Sequence, residues 1–213
     1  MGQELKDILD AVARGVFPPP DGRTTVVPQA CHRDAGVLAF TAHAVVFTDE
    51  DPEWVRRTLA GVDSDALSAP MNPRFLAALM DRTDRTNETI DLLAVASPLP
   101  GEPPLTLTEI DDPGHHRVAR AHRHRDDVRV WAADGGVLIL GRGVAGRLEA
   151  AVEVAEGVRH RGLGRALASA ARQLSGGEVV WAQMAPGNAR SVRAFLGAGF
   201  VPVGGEALLL ARG

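Results

Sequence analysis

The stretch VEVAEGVRHRGLGRALASAARQL, residues 152–174, constrains the fold more than any other part of the chain. Leu148, Ala150, Val152 and Val154 alternate with Glu149, Ala151 and Glu153, the period of a strand with two different faces. RHRGLG then brings Gly162 and Gly164, and Leu163, Leu167, Ala170 and Leu174 recur at helical spacing. A strand that passes into a helix through a glycine turn leaves successive backbone N–H groups unpaired, where the helix dipole is positive. Such a turn holds an anion, phosphate above all. Arg159, Arg161 and Arg165 add positive charge around it. The same six residues also read as an ordinary turn with solvated arginines, so other segments have to decide.

The chain has 213 residues, 45% of them hydrophobic, with a net charge of −4. That is enough for one large or two small domains with a real core. The slightly acidic balance argues against nucleic-acid binding through phosphate neutralisation. Residues 1–17 place Leu5, Ile8, Leu9, Val12 and Val16 at helical spacing but carry acids and are too short to span a bilayer. They read as a packing helix, with neither a signal nor a membrane span, and Lys6 does not fit a myristoylation pattern. One cysteine, Cys31, excludes an internal disulfide and points to a reducing, cytoplasmic setting. Lys6 is the one lysine, and tyrosine is absent.

Two domains are expected. In residues 1–100, VLAFTAHAVVF (37–47) and DLLAVAS (91–97) read as strands. Asp51-Pro52 and Asn72-Pro73 open two helices, the first closed by Gly61. PLPGEPP, 98–104, is the best linker and sets the boundary, so that 104–213 forms the second domain. There LTLTEI reads as a strand, HHRVARAHRHR as a helix, and VRVWAADGGVLILG as a hairpin turning at Asp134-Gly135-Gly136. EVVWAQM is a further strand, NARSVRAFLGAG a helix and EALLLAR a last strand.

The pattern Arg-x-x-Gly-x-Gly after Val152 and Val154 resembles the pyrophosphate loop of the GNAT superfamily of acyl-CoA-dependent N-acyltransferases. Its second signature follows in order, with Asn188, Ser191, Phe195, Gly199 and Phe200 matching Asn-x-x-Ser and the Gly-Phe ending. The resemblance runs from about Leu105 to the C-terminus. It implies a GNAT fold with a mixed, twisted sheet, preceded by a smaller α/β region of unassigned role.

The resemblance further implies that acetyl-CoA serves as co-substrate and that no metal takes part. Two parallel strands would splay, and pantetheine would bond to the first, here carrying Val152 and Val154. The pyrophosphate would rest on Arg159, His160, Arg161, Gly162, Leu163, Gly164 and Arg165, with Asn188 and Phe195 also against the cofactor. A small-molecule or peptide amine would then attack the thioester, the oxyanion resting on a strand N–H. Glu149 and Glu153 lie on one strand face, and either, with a pKa raised by burial, is a candidate base. Many members use a tyrosine where this chain has Phe195, which leaves Ser191, water or no acid to protonate the thiolate. Two further readings stay open: a GNAT-fold sensor that binds acyl-CoA without efficient transfer, and a first domain that recognises a protein acceptor. The final strand offers an edge for a homodimer.

Two rival patterns are weaker. Gly141, Gly143 and Gly146 after VLIL match a dinucleotide fingerprint, but RLEAAVEV continues as a strand and no acid sits at the required distance. These glycines read as a bulge and a hairpin tip. His115, His116, His122 and His124 suggest a metal, yet only His115 and His122 share a helical face, without a carboxylate or cysteine beside them. A solvated basic helix is the reading taken. Its Arg117, Arg120, Arg123 and Arg125 would, by the resemblance, lie near the acceptor site and favour an acidic acceptor.

Overall fold

The computed structural model describes residues 3–111 and 116–212, with 116, 117 and 120 as backbone alone. From the N-terminus the elements are α1 (Gln3–Ala13), β1 (Thr24–Val27), β2 (Asp34–Phe40), β3 (His43–Phe47), α2 (Pro52–Ala60), α3 (Pro73–Thr83), β4 (Arg85–Thr86) and β5 (Ile90–Ala96). They continue as β6 (Thr108–Ile110), α4 (His116–His124), β7 (Asp126–Ala133), β8 (Gly136–Arg142), β9 (Leu148–Val154), α5 (Leu163–Gln173), β10 (Val180–Met184), α6 (Ala189–Gly197) and β11 (Val201–Ala211). The fold is mixed α/β, with parallel and antiparallel strand pairs. His115, and the side chains of His116, Arg117 and Arg120, lie outside the described residues.

Two compact units form, Met1–Leu92 with Val203–Gly213, and Leu93–Pro202. The division falls inside β5 rather than at residues 98–104, and the last strand belongs with the first unit. The reason is strand pairing: β11 runs antiparallel to β2 from Gly205↔Ala39 to Leu210↔Asp34.

In the first unit the strand order is β1-β3-β2-β11, with β4 also on β11. Residues 37–47, expected as one strand, form the β2–β3 hairpin, closing at Phe40↔His43 with Ala42 at a φ of +51°. Both arms are apolar and buried, so no change of pattern marks the turn between them. Val37, Val46, Ala207 and Leu209 pack against Val55, Phe75, Leu76 and Leu79 of α2 and α3. Both helices start as their sequences require, Asp51 accepting from the Glu53 N–H and Asn72 from that of Arg74, each with a proline in the first turn. α1 buries Leu5, Leu9 and Val12 but ends before Val16, which is exposed.

The second unit has the strand order β10-β9-β8-β7-β6. β7 and β8 join through Asp134-Gly135, with Ala133 opposite Gly136 and Gly135 at a φ of +76°, the left-handed conformation that a tight hairpin needs. Val118 and Ala121 of α4 pack on Val130, Ile139 and Ala151, so α4 covers the face of β9 that carries Ala151. Period two puts Glu149 and Glu153 on that same face. The opposite face meets α5, where a Cβ on Gly164 would lie 3.5 Å from both Val154 and Ala194 of α6. α5 therefore packs against β9, and α6 against α5, at van der Waals distance.

Within the first unit, burial first, and then the Glu206 and Glu88 carboxylates, push Asp91 up to about 6 from an ordinary 3.8. A carboxyl whose folded pKa is raised contributes stability below the unfolded pKa, and that contribution is lost as pH rises through the folded value. Asp91→Asn should therefore gain stability relative to wild type as pH is raised from about 4.5 to about 7.5, most steeply near pH 5 and levelling off above about pH 7. Calorimetric melting reads this difference, and a pH-independent difference would refute the buried-carboxyl account.

Candidate active site

The site begins where β9 leaves β10. β9 pairs with β8 along its whole length, from Arg142↔Leu148 to Gly136↔Val154. With β10 it registers at one position, Trp181↔Glu149. Leu148, Glu149 and Ala150 are buried, whereas Ala151, Val152, Glu153 and Val154 are half-buried and paired on the β8 side. A parallel strand that loses its neighbour midway leaves main-chain donors and acceptors facing a gap.

β9 then runs into the glycine turn. The Ala155 N–H donates to the Gly135 carbonyl at 2.8 Å, and Glu156–Val158 form a 3-10 turn against the hairpin. Gly135 has no room for a Cβ beside Val158, so the hairpin tip and the turn fit only with glycine there. His160 and Gly162 both have positive φ, +65° and +84°. For a histidine that conformation is uncommon, and for Gly162 it is the ordinary glycine role. α5 starts at Leu163 with no side-chain cap on its first turn. Among the described residues the backbone N–H groups of His160, Arg161, Gly162, Leu163, Gly164 and Arg165 have no backbone acceptor. Arg161 and Arg165 are exposed beside them, and the Arg159 Nε donates back to the Val154 carbonyl at 3.3 Å. The strand and turn expected from residues 152–165 are thus present as one continuous piece.

Residues from the second signature gather at the start of α6. Asn188 is its N-cap, its side chain accepting from the Ser191 N–H at 3.1 Å. Ser191 is half-buried. Phe195 is 2% exposed and packs edge-to-face on Phe200, ring centroids 4.9 Å apart, so this position serves the core. Arg172, near the end of α5, donates to the Ser97 and Ala198 carbonyls and ties the segments after β5 and α6 to the helix.

Glu149, a candidate base by the resemblance, is buried rather than half-buried. Its side chain is 4% exposed, and its Oε1 accepts from Arg147 Nε at 2.8 Å and Gln183 Nε2 at 3.1 Å, while Oε2 accepts from Arg125 Nε at 3.0 Å. The Val144 N–H adds a longer bond at 3.4 Å. Burial alone raises its pKa, but the Arg147 and Arg125 guanidiniums outweigh burial and hold the carboxyl below the ordinary carboxylate range. The raised pKa expected of Glu149 is therefore corrected to a lowered one. Arg147 also lies over the Trp181 ring, 5.3 Å from its centroid, so both residues of the β9–β10 bridge hold it. Arg125, which leaves the end of α4, is the partner that a reading of isolated motifs does not pair with Glu149. Glu153 stays half-buried on the same strand face, two positions beyond Ala151.

The glycines of the rival dinucleotide pattern serve this cluster. They lie in the β8–β9 hairpin, with Gly143 N–H bonded to the Arg147 carbonyl at 3.0 Å and a 3-10 turn over Val144–Gly146. A Cβ on Gly143 would overlap the Glu149 carboxylate, and one on Gly141 would lie 2.9 Å from the Arg125 Cβ. Among the described residues no three His, Cys, Asp or Glu side chains come together as a metal site, and no helix is long and apolar enough to cross a membrane.

No protein-family model matches the chain, and no curated protein matches it. Among solved structures it is similar to a GCN5-related N-acetyltransferase from Kribbella flavida, 20% identical over 65% of this chain and 64% of that one, with a TM-score of 0.42. A GCN5-related N-acetyltransferase from Sphaerobacter thermophilus is 15% identical over 63% of this chain and 55% of the other, with a TM-score of 0.38. The chain thus spans less than two thirds of the length of either structure. At these scores the likeness adds nothing to the geometry above.

Removing the Glu149 charge leaves the Arg147 and Arg125 guanidiniums buried without their shared counter-ion. Glu149→Gln should cost about 3–5 kcal/mol of unfolding free energy, and Gly143→Ala about 1–3 kcal/mol by overpacking. Urea denaturation measures both, and a loss below about 1 kcal/mol for Glu149→Gln would mean that the cluster is solvated.

Proposed function

We propose that the chain is an acyl-CoA-dependent N-acyltransferase of the GNAT type, moving an acetyl group to an amine. The observation that carries this reading is the run of N–H groups from His160 to Arg165, without backbone acceptors, directly after a strand that parts from its neighbour. A turn of this kind suits a pyrophosphate, with the α5 dipole and Arg161 and Arg165 adding positive charge. The half-exposed edge at Val152 and Val154 suits the amides of a pantetheine arm, which bond to a strand as another strand would.

In this reading the acceptor nitrogen attacks the thioester carbonyl, forming the C–N bond, and a β9 N–H stabilises the tetrahedral oxyanion. Collapse breaks the C–S bond and releases CoA thiolate, which at neutral pH leaves without a strong acid. The proton lost from nitrogen passes to Glu153 through a short chain of waters along the strand face. Glu149, already ionised and engaged by four donors, we assign to positioning the strand junction instead. Ser191 is the hydroxyl left to protonate the thiolate, since the chain has no tyrosine and Phe195 lies in the core.

The same absence favours a second reading, an acyl-CoA-binding regulator that transfers slowly. Incubation of an amine library with acetyl-CoA, read by mass spectrometry, separates the two. Acetylated amine supports the enzyme, whereas CoA binding with hydrolysis alone supports the regulator. In calorimetric titration Arg161→Ala/Arg165→Ala should bind CoA about tenfold or more weakly, with a smaller salt dependence than wild type. Unchanged affinity would remove these arginines from the site. Glu153→Gln should lower kcat while sparing CoA affinity, and an unaltered pH–rate profile in that variant would exclude Glu153 as the base.

A further inference from the structure

Resting on the acyl-transfer reading above, we propose that the acceptor amine carries a carboxylate and that Arg125 binds it. Buried charge is costly to keep, and hydrophobic residues of the same volume commonly replace an ion pair without loss. Here the β9–β10 junction keeps Glu149 with Arg125 and Arg147, and two glycines, Gly141 and Gly143, leave the space that Arg125 and Glu149 occupy. The arrangement is built around charge, which a role in packing alone does not require.

Arg125 differs from its neighbours in the cluster. Its side chain is 16% exposed, against 3% for Arg147 and 4% for Glu149, so it is the member that reaches the surface. A guanidinium has five N–H donors. Arg125 gives Nε to Glu149 and one Nη2 bond, at 3.5 Å, to Gln183. Its remaining donors sit on the terminal nitrogens, the fork that takes a carboxylate in two parallel bonds.

Position decides what this fork would meet. The phosphate turn lies at the C-terminal end of β9, so an arm laid along residues 151–154 runs back toward Glu149, a length of about 13 Å at strand rise. Its acyl end then points to the junction where Arg125 stands. Donor and acceptor would enter from opposite faces, since α5 packs on the face of β9 carrying Val154 and α4 on the face carrying Glu149. A small amine with a carboxylate a few bonds from its nitrogen fits this geometry, and a cationic polyamine does not.

The test sets α-, β- and γ-amino acids against their carboxamides as acceptors, with acetyl-CoA and full-length protein. Wild type should favour the acids in kcat/KM, and Arg125→Gln should lower that preference at least tenfold, with Arg125→Lys between the two. A wild-type preference for carboxamides, or a loss in Arg125→Gln that is equal for acid and amide, overturns the proposal. If no amine in either set is acetylated, the acyl-transfer reading falls and a second readout judges Arg125. Melting in the presence of CoA and the same acids should then rise for wild type and not for Arg125→Gln, and equal shifts in both proteins overturn the site.

Discussion

Everything at the candidate site depends on one buried carboxylate. Glu149 stands at the single register position shared by β9 and β10, and it is held from three directions: by Arg147 of the preceding hairpin, Arg125 from the end of α4, and Gln183 of β10. Desolvating three charged side chains is unfavourable, and only close geometry with hydrogen bonds to both carboxylate oxygens offsets it. That geometry in turn demands glycine at positions 141 and 143, where side chains would occupy the same space. The cluster therefore joins three segments distant in sequence and defines the point beyond which β9 runs with one neighbour rather than two.

From that point the remaining features follow mechanically. Residues 151–154 keep their pairing to β8 and turn half-exposed, and the chain then enters a turn whose N–H groups have no backbone acceptor ahead of α5. α5 is held by small residues, Ala168, Ala170 and Ala171, with Leu167 completing the buried face, so its N-terminus is fixed relative to the strand. Gly164 allows α6 and β9 to approach it closely. A half-exposed strand edge and a glycine turn thus adjoin, with the positive end of the α5 dipole at the turn.

Much of this was legible in the sequence because the determinants are local. Period two fixes β9, helical spacing fixes α5, Asp134-Gly135 fixes a hairpin, and Asp51 and Asn72 mark helix starts that the structure caps as expected. What was not legible depends on contacts between distant residues. The turn at Ala42 lies between two buried apolar arms and carries neither glycine nor asparagine, so 37–47 reads as one strand. β11 joins the first unit by pairing with β2, which no pattern near residue 201 announces. Glu149 and Glu153 look equivalent on a strand diagram, and Glu149 is set apart by Arg147, Gln183 and Arg125, the last 24 residues earlier in the chain. Phe195 matches a signature position, yet its neighbour in the fold is Phe200, which makes it a core residue.

The central claim is that a CoA thioester lies along the free edge of β9 with its pyrophosphate in the turn that follows. Amide hydrogen exchange with and without acetyl-CoA tests it most directly. Slowed exchange concentrated in residues 151–154 and 160–165, with β7 and the first unit unchanged, is the predicted result. Exchange unaltered in both segments at a CoA concentration that saturates binding would contradict the account.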